Sequence, residues 1–125
     1  LYERLAQKYP EQRKEYINKR RETYQKLISL KPDHFNANYN LGISFYNQAV
    51  NIINNQKYET DIKTLQSVID TCSALFRKAL PYIKQAHQLD KDNKNALTAL
   101  EGIYYNLDSQ KADSLRNVIQ KMEKN

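Results

Sequence analysis

Two stretches of the chain, "LKPDHFNANYNLGISFYN" (30–47) and "LDKDNKNALTALEGIYYN" (89–106), carry one pattern 59 residues apart. Seven of the 18 positions are identical: Leu30/Leu89, Asp33/Asp92, Asn36/Asn95, Ala37/Ala96, Leu41/Leu100, Tyr46/Tyr105 and Asn47/Asn106. Phe45/Tyr104 is a conservative eighth. Each copy leaves an apolar helix end, passes an Asp suited to N-capping and enters a new helix. A helix–turn–helix unit repeated along a chain cannot bury its apolar face alone and must stack on its neighbours. Composition points the same way. Only 2 Gly and 3 Pro in 125 residues leave little material for turns, and no apolar/polar alternation marks a strand. The expectation is an all-α domain over residues 1–125.

Gly42 sits inside the first copy, where glycine costs a helix about 1 kcal/mol relative to Ala. The sequence reading explains it by close approach of a second helix, against Ala79. Between the copies, "NNQKYET" (54–60) lacks apolar periodicity and marks a turn. Beyond it, Ile62, Leu65, Ile69, Cys72, Phe76, Ala79, Ile83 and Ala86 recur at alternating spacings of three and four, a heptad seam. Its partner is the row Leu41, Phe45, Ala49 and Ile52. A turn near residue 60 makes paired numbers sum to about 121, which sets Phe45 beside Phe76, Ile52 beside Ile69 and Leu41 beside Leu80. Pro81 is expected to kink this helix. Five helices follow, over 10–30, 33–56, 60–89, 93–106 and 109–123. Asp92 is expected to cap the fourth and Ser109 the fifth, with Ala112, Leu115, Val118, Ile119 and Met122 on the apolar face of the last.

At this point the chain resembles the tetratricopeptide repeat (TPR) family, whose first helix reads W-x2-L-G-x2-Y, followed by A-x3-F and then Pro. The first copy offers Asn38-x2-Leu41-Gly42-x2-Phe45, then Ala79-x3-Ile83. The second offers Leu97-x2-Leu100-Glu101-x2-Tyr104. Asn38 departs from the large aromatic, Lys91 from Pro, and Glu101 from the small residue, with Gly102 beside it. The resemblance implies a right-handed α-solenoid of antiparallel helix pairs with one hairpin elongated, because a family unit is about 34 residues. The pattern looks like bacterial TPR proteins, several of them exported, so an exported or periplasmic setting is implied. It also implies a concave groove lined by Asn36, Tyr39, Ile43, Tyr46 and Asn47, and by their counterparts Asn95, Thr98, Tyr105 and Asn106. For Tyr46 and Tyr105 the other reading is packing against a neighbouring repeat. Lys and Arg of the family's carboxylate-clamping subgroup are missing from the counterpart positions, where Asn40 is the single match.

Chemistry has little to stand on. His34 and His87 form no metal-spaced pair, and no nucleophile–base arrangement or phosphate-binding loop is legible. Cys72 alone supports neither an internal disulfide nor a cysteine zinc site, and its place in the seam makes it a core residue. No enzyme activity, cofactor or metal is expected. No apolar run reaches the roughly 18 residues of a membrane span. The net charge of +6 is concentrated at the start, where residues 1–31 hold nine Lys/Arg against four Glu. Leu1 in place of Met reads as a fragment of a longer chain. Its first helix should then expose Tyr or Ile, and copies could associate through open solenoid ends. The expected function is a non-enzymatic scaffold for a protein or peptide partner. The alternative is nucleic-acid or anionic-surface binding by the basic helix 10–31, against which Glu11, Glu15 and Glu22 interrupt the charge.

Overall fold

The computed structural model describes residues 10–56 and 61–124, with side chains for 11–56, 61–108 and 116–123. Among the described residues every regular element is an α-helix: α1 Pro10–Leu30, α2 Phe35–Asn54, α3 Ile62–Leu89, α4 Lys94–Leu107 and α5 Ser109–Lys124. Each lies within a few residues of its sequence expectation. α2 packs most extensively on α3, α4 packs on α3 and α5, and α1 lies on α2. The core is Leu41, Phe45 and Ala49 of α2, Cys72, Leu75, Phe76, Ala79 and Ile83 of α3, and Ala99, Leu100 and Ile103 of α4.

The two sequence copies fold into the same turn. Lys31 N–H donates to Leu27 O at 2.8 Å, and its counterpart Asp90 N–H donates to Ala86 O at 3.1 Å. His34 N–H closes on Lys31 O, as Asn93 N–H does on Asp90 O, both at 3.1 Å. The caps correct the sequence reading. His34 Nδ1 and Asn93 Oδ1, not Asp33 and Asp92, accept from Ala37 N–H and Ala96 N–H at 3.0 Å. The turn consumes both Asp positions, so the extended residue that starts each helix is the next one. Asn38 stands where the TPR pattern has an aromatic, and it is buried. Its side-chain amide donates to Pro32 O at 3.1 Å and His34 O at 2.8 Å, which ties the turn to α2. A buried amide that makes two hydrogen bonds avoids the desolvation penalty of a bare one.

The α2–α3 hairpin keeps the expected register. Cys72 Sγ lies 3.6 Å from Ala49 O, and a Cβ on Gly42 would sit 3.3 Å from Ala79 O, so both pairs sum to 121. The aromatic partners are different. Phe76 meets Tyr46 edge-on at 5.6 Å, and Phe45 stacks on Tyr82 at 6.4 Å. On a helix pair, each ring settles between two facing positions rather than opposite one, so register alone did not select the partner. Residues 57–60 of the expected turn lie outside the described residues.

The seam divides in the middle. Cys72, Phe76, Ala79, Ile83 and Ala86 are buried, whereas Ile62, Leu65 and Ile69 are 86%, 42% and 49% exposed. Cys72, Phe76, Ala79 and Ile83 of the buried half share one core with Leu100 and Ile103 of α4, whereas Ile62, Leu65 and Ile69 lie outside it. Pro81 does not end α3, and it lies on the exposed face of the helix, as does Arg77 one turn earlier, whose carbonyl it leaves without an intrahelical donor. Cys72 is buried, and burial raises its thiol pKa, which disfavours the reactive thiolate. On α1, Tyr16, Ile17, Tyr24 and Ile28 are half-buried and the exposed large residue is Leu30, which corrects the expectation of an open Tyr or Ile there. Ser109, Ala112 and Leu115 lie outside the described side chains; Ile119 and Met122 are half-buried and Val118 is exposed.

Candidate functional site

The expected binding stripe lies on α2 and α4, two helices that touch. Contact is made where the Tyr46 ring lies over Gly102. A Cβ there would stand 2.5 Å from the Tyr46 hydroxyl oxygen and 3.1 Å from two ring carbons. Gly102 thus supplies the close approach that Glu101, one residue earlier, cannot. Glu101 instead turns to α5 and accepts from Arg116 Nη2 at 2.9 Å. Desolvation, with the Glu101 charge second, raises the Tyr46 pKa. Tyr46 is half-buried between Phe76 of α3 and Gly102 of α4.

The other stripe residues divide by exposure. Asn36, Asn47, Asn95, Thr98 and Tyr105 are exposed, Tyr105 at 64%. Tyr39 and Ile43 are half-buried, with Tyr39 stacked on Phe35 at 5.8 Å and its pKa raised by burial. Asn106 is exposed, and its amide is turned back to Gly102 O at 2.8 Å. The surface presents amides, one open phenol ring and a hydroxyl on two helices locked side by side. Such groups recognise peptides by hydrogen bonding around rigid apolar area.

Sequence reasoning missed a second feature. An apolar groove of about 330 Å³ lies along the α2–α3 hairpin, lined by Ile53, Leu65, Val68, Ile69, Cys72 and Phe76, with Asn106 of α4 also in its lining. The heptad seam was the available signal, since its partner row on α2 ends at Ile52, opposite Ile69, and leaves Ile62 and Leu65 without a counterpart. Asn106 belongs both to this groove and to the α2/α4 stripe.

Among the described residues no group of three or more His, Cys, Asp or Glu could hold a metal ion, and no helix is long and apolar enough to cross a membrane. His34 is occupied as an N-cap, and His87 Nδ1 is buried without a hydrogen-bond partner. Compared with protein-family models, with curated proteins and with solved structures, the chain matches none.

Proposed function

We propose that this chain is a non-enzymatic protein-interaction module, a TPR-like right-handed solenoid segment that holds a peptide or protein partner on its α2/α4 face. One observation carries the reading: the Tyr46–Gly102 contact sets α2 beside α4, so two half-stripes 59 residues apart in sequence form one surface. The matching turns at 31–34 and 90–93 support a true structural repeat. The nucleic-acid reading is weaker because α1 offers no continuous row of free cations. Lys19 pairs with Glu15 at 3.3 Å, Arg20 Nε donates to the Tyr24 hydroxyl at 3.0 Å, and Arg21 is bound to α2.

Selection of random displayed peptides against the chain tests this. Peptides should be enriched whose affinity falls about tenfold or more in Thr98→Lys or Tyr105→Ala, both exposed positions whose change leaves the core intact. Enriched peptides that bind both variants as tightly as the parent would remove the α2/α4 face from consideration. Tight binding of oligonucleotide, weakening steeply with salt, would favour the basic-helix reading instead.

A further inference from the structure

α2 has no charged side chain from Phe35 to Asn54. Its two neighbours are cationic. α1 holds six Lys/Arg against three Glu, and α3 holds four against a single Asp. α1 and α3 both pack on α2. Two cations, one from each of these helices, lie near the ring of Phe45. The Arg21 guanidinium carbon lies 4.3 Å from the ring centroid, and Lys78 Nζ lies 5.9 Å from the same centroid. The two charges are therefore no farther apart than the sum of those distances.

Arg21 is held in place by α2. Its Nε donates to Ser44 Oγ at 2.8 Å, and its Nη2 to Ser44 O at 3.0 Å and Gln48 Oε1 at 2.8 Å. These bonds leave Nη1 free to donate, and every acceptor is neutral. The ion pairs of the described residues lie elsewhere, at Lys19–Glu15, Lys94–Glu123 and Arg116–Glu101. Neither Arg21 nor Lys78 has a carboxylate partner among the described residues. Desolvation lowers the Arg21 pKa, as expected for a half-buried cation with no neutralising charge.

We propose that Arg21 and Lys78, the two cations beside the Phe45 ring, receive a carboxylate side chain from an acidic peptide segment of a partner protein. This rests on the interaction-module reading and adds a second contact, away from the α2/α4 stripe. A carboxylate accepts from a pre-oriented guanidinium and a mobile ammonium together, which gives the charge-assisted bonds that neutral acceptors cannot. Nucleic acid fits less well. Arg21 and Tyr82 already cover Phe45, so no open ring face remains for a base, and the uncharged α2 offers no track for successive phosphates.

The test uses fluorescence anisotropy of a labelled hexa-aspartate peptide against the intact chain at low salt. Lys78 is exposed, so Lys78→Glu leaves the core untouched, and Lys63→Glu on the same helix makes the same charge change at a distance. The peptide should bind, and Lys78→Glu should weaken it about tenfold or more, the scale of a lost charge-assisted bond, while Lys63→Glu changes it little. Thr98→Lys and Tyr105→Ala should not weaken it, which separates failure of this cation pair from failure of the α2/α4 face. Absence of peptide binding, or equal losses in Lys78→Glu and Lys63→Glu, would overturn the proposal. So would tighter, Lys78-dependent binding of oligo(dT) or of phosphatidylserine-containing vesicles.

Discussion

Phe76→Ala should destabilise the chain by about 3–5 kcal/mol, the usual cost of emptying a buried phenylalanine site. Phe76 is fully buried, meets Tyr46 edge-on, and forms the inner end of the apolar groove. Its loss removes the ring that joins α3 to α2 beneath α4 and extends the groove into the core. A small domain has only about 5–15 kcal/mol in total, so the variant should sit near the edge of folding. Urea titration should give a markedly lower midpoint with an unchanged slope. Ile69→Ala supplies the internal comparison. Ile69 occupies the same seam seven residues earlier but is 49% exposed, and it should cost far less. Equal losses at the two sites would show that the seam is not divided as described.

The second large effect concerns Gly42 and Ile83. A Cβ added at Gly42 would stand 2.6 Å from both Cγ1 and Cδ1 of Ile83, a fully buried side chain with nowhere to swing. Overpacking of this kind costs about 1–3 kcal/mol, against a gain of about 1 kcal/mol from alanine's better helix propensity. Gly42→Ala should therefore be destabilising. Ile83→Ala should cost about 2–5 kcal/mol by itself. Because it deletes both obstructing carbons, Gly42→Ala should cease to destabilise in that background. A double-mutant cycle from denaturation midpoints reads the coupling directly. If Gly42→Ala costs the same in both backgrounds, Ile83 is not what the glycine accommodates.

Much of this architecture was legible before any coordinates. The repeat located both turns, and the heptad spacing set a register that Cys72–Ala49 and Gly42–Ala79 share. Seam periodicity identifies a face but not how many layers cover it. Leu65 and Phe76 look equivalent in sequence, but Phe76 belongs to the core shared with α2 and α4 and is buried, whereas Leu65 lies outside it and is exposed. The two caps lie one residue beyond the Asp that both copies share, because the turn's backbone geometry gives the role to His34 and to Asn93, a type as favourable as Asp. On the candidate surface, Tyr46 and Tyr105 are identical residues at equivalent repeat positions. Tyr46 has a further helix to pack on, and Tyr105 stands open. Periodicity could not separate them, because the difference belongs to each residue's place in the stack. Arg21 was counted only as part of a basic helix. Its fixed orientation depends on Ser44 and Gln48, 23 and 27 residues away, which no local pattern connects to it.

The divided seam has a consequence for how α3 comes apart. Its first two turns leave Ile62 and Leu65 exposed, while the seam from Cys72 to Ala86 is buried and belongs to a helix that packs on both α2 and α4. Opening free energy follows the number of buried contacts that must separate, and it can change steeply within one continuous helix. α3 is thus expected to be one helix with two lifetimes. Amide exchange should show the turns around Ile62 and Leu65 opening locally, and those around Ile83 opening only with the whole molecule. A partner that settled on Leu65 and Ile69 would lengthen the shorter lifetime toward the longer one, so binding there would register as slowed opening of a helix already formed.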